Sequence, residues 1–408
     1  MKRPDYAQFF WRILLSLLMN NRYGISLFLF FCLMSLPFAE VSQAQGPSAG
    51  QSPEKINNKI NNKINSKVSS RVKSNKEGPE ESGKSQAFEF TVIAHRGASG
   101  YLPEHTLEAA TLAFALNADF IEQDVVITKD DIPIVLHDIH LETVTNVESV
   151  FPERAREDDR FYARDFTLAE LRRLNVHERE DKSQNRVFPS RFSATTSRFS
   201  IATLYEHFDL ISELNRQLGK NIGVYPEVKS PAFHLAEGVD ASRIVIDALQ
   251  AFNLDGAQDN SYLQCFDFSE VKRIRNELGY KGKVVMLIGE NDWKESSTDY
   301  TWIRSAEGMA EVAKYANGIG PWVPQLFNQN DAKSKKIEAA NWVTHAHSNN
   351  LTIHPYTYRQ DALPPGITGP HLLDALRNIV KVDGIFTDQV PPVLSWREQR
   401  RSNVDGAQ

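Results

Sequence analysis

Short apolar runs recur along this chain, each closing on polar residues, with helix-spaced segments between them. Residues 88–94 form the first run, rich in β-formers and followed by a glycine-containing turn, which predicts a strand ending at His95. Residues 107–116 carry apolar side chains at helical spacing. Residues 120–127 predict the next strand, and residues 132–136 a short one, joined to it through the tight turn Lys129-Asp130-Asp131 as a hairpin. Further strands are expected around 227, 264, 286, 319, 353 and 385, with helix-like segments between most of them. With those at 93 and 124, eight strand–helix units result. They predict an α/β fold, a TIM (β/α)8 barrel with a small insertion between the second and third barrel strands, about 139–203. In such a barrel the reactive groups collect at the C-terminal ends of the strands.

The residues expected there form a coherent set. Strand side chains alternate faces, so Glu122 and Asp124 point the same way, as do Phe120 and Val126. Two carboxylates on one face repel unless a cation lies between them, and a hard divalent ion is the economical answer. Glu227 and Lys229 share a face in the same manner; Glu227 is a candidate third carboxylate ligand and Lys229 a partner for an anionic oxygen. His95, Arg96 and His137 stand at strand ends, and imidazoles titrate near neutrality. Gln264 has two readings, a structural hydrogen bond inside the barrel or a substrate contact. His354, Tyr356 and Arg359 are expected on the substrate side, with a packing role open for Tyr356. Glu104 and His105 precede a helix for which Thr106 is a good N-cap, so capping and catalysis both remain open for them.

The blocks HRGASGYLPEHT, FIEQDVVITKDDIPIVLHD, YPEVKSP, YLQCFD, IGP, IHPYTYR and GIFTD occur in this order. Together they resemble the glycerophosphodiester phosphodiesterases, in particular the secreted or periplasmic bacterial branch, from about residue 87 to 392. After Phe386-Thr387-Asp388 the family often continues with an aromatic residue, Pro and Asp, whereas this chain reads Gln389-Val390-Pro391-Pro392. The resemblance implies that Glu122, Asp124 and Glu227 hold a divalent cation, calcium in that branch, with magnesium the other hard cation that suits three carboxylates. It implies His95 and His137 as the acid/base pair and Arg96 and Lys229 as neutralisers of the phosphate; Gln264 and His354 are further substrate-contact candidates from the residue reading alone. It also implies attack by the glycerol 2-hydroxyl on phosphorus, a cyclic phosphate, and its opening by water to glycerol 3-phosphate.

Three other readings make different demands. A phospholipase acting on intact lipids needs an apolar rim at the barrel mouth, and no apolar run stands in the loops. A non-catalytic envelope binding protein would show erosion among the two histidines and three carboxylates, and all five are present. A glycosidase needs carboxylates about 5–9.5 Å apart across a sugar bond, which neighbours on one strand face do not provide, and it leaves the histidines without a role.

Composition changes little. Of 408 residues, 41% are hydrophobic and 24% charged, ordinary globular usage. A net charge of −6 argues against nucleic acid as partner; the expected partner is a small glycerophosphodiester. The N-terminus is separate. The apolar run 25–38, with Arg22 before it and Val41-Ser42-Gln43-Ala44-Gln45 after it, reads as a signal peptide over 1–44, hence a periplasmic or secreted protein. The run falls short of the ~20 residues that span a bilayer; an uncleaved anchor is the rival reading. Residues 45–86 read as a disordered polar linker containing a four-residue repeat, 87–398 as the barrel domain and 399–408 as a tail. Cys32 would leave with the signal, and Cys265 alone cannot form an internal disulfide. It neighbours Gln264 on the opposite face and reads as core packing.

Overall fold

The computed structural model describes residues 90–328 and 337–405. The signal, the linker and its repeat lie outside the described residues.

The eight expected barrel strands are all present. They are β1 (Thr91–Ala94), β2 (Phe120–Ile127), β4 (Gly223–Val228), β5 (Tyr262–Cys265), β6 (Lys283–Ile288), β7 (Gly318–Pro321), β8 (Thr352–Ile353) and β9 (Gly384–Thr387). All their pairings are parallel, in the spatial order β8-β7-β6-β5-β4-β2-β1-β9. The seam between β8 and β9 is closed by single hydrogen bonds: Asp383 N donates to Ile353 O at 3.0 Å and Phe386 N to Pro355 O at 3.0 Å. The predicted hairpin forms as β3 (Pro133–Val135), antiparallel to β2 in the register Val125↔Val135 and Ile127↔Pro133.

Helices follow the strands where caps allow. The first, α1 (Leu107–Ala115), starts at Thr106, whose hydroxyl accepts from Ala109 N. The next long one, α2 (Leu204–Leu218), has a full capping box of Thr203 and Glu206 and stops at Gly219 in the left-handed region, φ 62°. Asp240 and Asp267 cap α3 (Ala241–Ala251) and α4 (Phe268–Asn276). The last, α5 (Val390–Asp405), takes in much of the expected tail.

Strand alternation then builds two layers. Outward residues such as Ile121, Val125, Ile127, Leu263 and Cys265 join the helices in the main apolar core. Inward, Ile93, Phe120, Tyr225, Val285 and Phe386 form an apolar plug in the barrel interior. Two residues on along their strands stand His95, Glu122, Glu227, Leu287 and Asp388. The plug is therefore a floor, and the polar layer lies on it toward the C-terminal strand ends.

The segment from 139 to 203 is a body with its own core. Leu141, Val144, Phe151, Phe161, Phe166, Leu174, Val176 and Ile201 pack with Val126, Ile134 and Leu136 of the hairpin. Within it a short helix, Leu168–Leu171, starts at Thr167, which forms a capping box with Glu170. Among the described residues none of those lining the cleft comes from it; it stands behind the site.

Candidate active site

The cleft above the floor has a volume of about 180 Å³ and is walled by His95, Arg96, Glu122, Asp124, His137, Glu227, Gln264 and Arg359 together with aromatic residues. Glu122, Asp124 and Glu227 bring carboxylate oxygens within 4.8 Å of one another, and all three are buried. Their registration is a property of the sheet. Asp124 is paired directly with Glu227 across β2 and β4, and Glu227 with Gln264 across β4 and β5.

Such a cluster is electrostatically unsatisfied. Burial, and then the neighbouring Asp124, push the Glu122 carboxyl well above its usual range. Burial also raises Glu227, to about 8, against the opposing pull of Lys229, whose Nζ lies 2.9 Å from Glu227 Oε1. Asp124 goes the other way. Burial alone would raise it, but the His105 charge and hydrogen bond outweigh that and hold it well below the ordinary value. His105 Nε2 is 2.7 Å from Asp124 Oδ2. Asp124 Oδ1 and Gln264 Oε1 are buried without partners. Orphaned oxygens beside like-charged carboxylates fit a hard cation that takes oxygen ligands.

Each histidine is backed by a carboxylate. His95 Nδ1 lies 2.6 Å from Asp388 Oδ1, and His137 Nδ1 lies 2.7 Å from Asp138 Oδ1. A carboxylate accepts only, so each Nδ1 carries the proton and each Nε2 is left as the basic nitrogen. Asp388 and Asp138 stay ionised: burial would raise both, but Arg359 and His95 around the one, and His137 and Arg179 around the other, hold both carboxyls below the usual range. Burial, followed by the positive charge of Arg96, lowers the pKa of His95 to about 4 and of His137 to about 3.

Arg96 joins these groups. Its backbone N–H donates to Glu122 Oε2 at 2.9 Å, its Nη1 donates to both Glu104 oxygens at 3.0 and 3.1 Å, and its buried Nε makes no hydrogen bond but lies 3.7 Å from Asp124 Oδ2. The backbone is strained to reach this arrangement. Arg96, His105 and Ser230 all sit at positive φ, 58°, 61° and 42°, and non-glycine residues held there cluster at functional sites.

The expected residues therefore mostly converge. His95, Arg96, Glu122, Asp124, His137, Glu227 and Gln264 line one cleft, with Lys229 bound to Glu227. Gln264 Nε2 donates to Glu122 Oε1 at 2.9 Å, so its structural reading holds at the cleft wall itself. His354 is the exception. It was expected to touch substrate, but its Nδ1 meets the Tyr225 hydroxyl at 3.1 Å among the rings of Tyr225 and Tyr262 in the floor, and it is absent from the cleft wall. Arg359 and Tyr356 do reach the cleft; the Tyr356 hydroxyl is used on Ile288 O. Glu104 and His105 cap nothing, since Thr106 does so.

The sequence reading missed two features. One is the aromatic wall of Phe266, Trp293, Trp322 and Tyr356, of which only Tyr356 was expected on the substrate side; Trp293 and Trp322 meet edge to face at 5.2 Å. No apolar run announces it, because its members lie on four separate loops. The other is the charged shell behind the histidines. Asp138 could have been found from its place beside His137, but Asp388 stands 293 residues from His95.

Comparison with known proteins agrees with this geometry. Residues 95–391 match the Glycerophosphoryl diester phosphodiesterase family. A glycerophosphodiester phosphodiesterase of Haemophilus influenzae is 42% identical over 315 residues, covering 73% of this chain and 86% of that protein. One from Treponema pallidum is 34% identical over 295 residues, 68% of this chain and 83% of that one. Among solved structures, one from Silicibacter pomeroyi matches with TM-score 0.57 at 20% identity, over 78% of this chain and 95% of that one. A phosphodiesterase of Oleispira antarctica in complex with the product sn-glycerol-3-phosphate matches with TM-score 0.52 at 18% identity, over 76% and 98%. These two speak for the barrel alone. The extent of the family match, with relatives above 30% identity along most of their length, means that this chain belongs to the glycerophosphoryl diester phosphodiesterase family.

Proposed function

We propose that the cleft hydrolyses small glycerophosphodiesters, such as glycerophosphocholine, to sn-glycerol 3-phosphate and an alcohol, using a divalent cation and two histidines. The observation that carries this reading is the buried carboxylate triad flanked by two imidazoles, each oriented by its own carboxylate. Glu122, Asp124 and Glu227 would hold the cation, calcium being our first choice among hard ions. When bound, it supplies positive charge to the non-bridging oxygens of the phosphate.

The chain's own groups do the rest. Arg96 stands at the cleft with an Nε that makes no hydrogen bond, and Lys229 stands beside Glu227 to balance charge. One imidazole Nε2 takes the proton of the glycerol 2-hydroxyl as that oxygen bonds to phosphorus. The other gives a proton to the departing alcohol oxygen as its bond to phosphorus breaks. Water then opens the cyclic phosphate with the proton transfers reversed. The diester's negative charge favours protonation of the imidazole that acts as acid. The rings of Phe266, Trp293, Trp322 and Tyr356 offer an apolar wall to the carbon skeleton. The N-terminal apolar run and the small residues through Gln45 support export through a cleaved signal.

The test is glycerol 3-phosphate release from glycerophosphocholine by the purified protein, after chelation and after adding back calcium or magnesium. We expect turnover only with the ion, and losses of about 10²–10⁴-fold in His95→Ala and His137→Ala. Turnover in chelator equal to that with calcium, or near-normal rates in either variant, would sink the reading.

A further inference from the structure

We propose that Arg179 and Arg191 are positioning residues for the two histidines: each holds the carboxylate that orients one imidazole, and both are presented by the one segment 139–203. The inference rests on the acid/base reading of His95 and His137.

The two arrangements are alike in construction. Arg179 Nη1 donates to Asp138 Oδ2 at 2.6 Å, while Asp138 Oδ1 faces His137 Nδ1 at 2.7 Å. Arg191 Nη2 donates to Asp388 Oδ2 at 2.7 Å, while Asp388 Oδ1 faces His95 Nδ1 at 2.6 Å. In both, one carboxylate oxygen serves the imidazole and the other serves the guanidinium. An aspartate gripped on both oxygens cannot turn about its last torsion, so the imidazole's partner is fixed in direction as well as in charge.

The remaining arms of each guanidinium anchor it. Arg179 Nε and Nη2 meet Glu104 at 3.0 and 2.6 Å, and Glu104 in turn holds Arg96. Arg191 Nε and Nη2 meet Asp361 at 2.8 and 3.0 Å, and its guanidinium lies 3.6 Å from the centre of the Phe188 ring. Both side chains are largely buried, 16% and 4% exposed. A planar fork on two carboxylates is a task for arginine; a lysine ammonium is a point charge.

The other charged groups facing the histidines are accounted for. Arg96, Arg359 and Glu122 face His95; Arg96, Lys229 and Asp124 face His137. None of them reaches Asp138, and only Arg359 shares Asp388, its Nε 2.9 Å from Oδ2. The segment is suited to the task because its apolar core fastens it to the β2–β3 hairpin. It lines no part of the cleft, yet it reaches the carboxylate behind each imidazole.

The test uses the full chain with saturating calcium and glycerophosphocholine. Arg191→Gln should lower kcat about 10–100-fold with little change in KM. Arg179→Gln should do the same and also raise KM, because Glu104 and through it Arg96 lose support. Arg191→Gln combined with Asp388→Asn should be no slower than Asp388→Asn alone, since both act through one imidazole. Lysine at either position should recover little. If Arg191→Gln melts too low to assay, the double variant with Asp361→Asn removes one stranded carboxylate and carries the same prediction. Folded glutamine variants with kcat within twofold of wild type, multiplicative losses in the cycle, or full recovery by lysine would each overturn the inference. Loss of activity in His95→Gln and His137→Gln, measured alongside, separates failure of this inference from failure of the acid/base reading.

Discussion

Replacing Glu122 by glutamine should stabilise the metal-free protein while abolishing its response to calcium. Glu122 shares a buried space with Asp124 and Glu227, their oxygens within 4.8 Å. Like charges at that distance repel by roughly 3 kcal/mol at an effective dielectric of 20. Because burial and Asp124 push the Glu122 carboxyl well above its usual range, the metal-free cluster escapes part of this repulsion by keeping a proton; glutamine removes what remains at any pH and keeps the shape. It loses something too, because Glu122 accepts from Gln264 Nε2 and from Arg96 N, and an amide offers only one oxygen to these two donors. One lost neutral hydrogen bond costs about 1 kcal/mol, and the attraction of Arg96 is forfeited as well. The expected net gain is at most about 1–2 kcal/mol, a rise in melting temperature of no more than about 2–4 °C. Wild type should instead gain about 2.7 kcal/mol from calcium at a hundred times its dissociation constant. At a fixed calcium concentration the gain should grow with pH. With Glu227 raised to about 8, the folded metal-free cluster keeps a proton that the unfolded chain releases near 4.5. Stability from that proton is full below 4.5 and is lost as pH rises through about 8, and the cation competes with the same proton. The assay is thermal melting of both proteins in chelator and across a calcium series at pH 6, 7 and 8. A variant less stable than wild type in chelator, or a calcium response equal at pH 6 and pH 8, would refute the electrostatic argument.

Two further outcomes follow from local geometry. Gly97 has φ +79°, and a Cβ there would lie 2.9 Å from the backbone carbon of Ala109; Gly97→Ala should cost about 1–3 kcal/mol in urea unfolding, and a loss below measurement error would show that the turn is looser than drawn. Cys265 is fully buried and its thiol is pushed well above the usual value by burial; it should resist a thiol reagent in the native protein and react once guanidinium unfolds it, so rapid native labelling would contradict its place in the core.

What could be read from sequence was whatever a short period encodes. Glu122, Asp124 and Glu227 are legible because alternation puts them on one face of a strand and parallel register sets Asp124 beside Glu227. The eight strands were legible for the same reason, since each buried run is short and punctuated. His354 was misplaced because β8 is only two residues long, and alternation alone does not tell the floor of a barrel from its mouth. Arg179 and Arg191 were beyond reach. They lie in irregular backbone, and their partners Glu104, Asp138, Asp361 and Asp388 come from four other places in the chain. Such charges look like an ordinary solvated surface until tertiary contacts bury them.

The floor and the reactive layer are bound to one another by that same alternation. Ile93, Phe120, Tyr225 and Phe386 fill the plug, and His95, Glu122, Glu227 and Asp388 follow each of them by two residues. A slip of one residue in any of these strands would turn a site group outward into the helix layer and bring an apolar neighbour into the cleft. The slip would also empty part of the plug. Misregistration is thus opposed by the packing free energy of the core, which makes no contact with substrate. That coupling lets four separate strands deliver an acid cluster and an imidazole–carboxylate pair to one place without a ligand to assemble them. It also explains why the adjustable parts, the aromatic wall and the arginine-bearing segment, lie on loops, where a change of residue leaves the register of the barrel untouched.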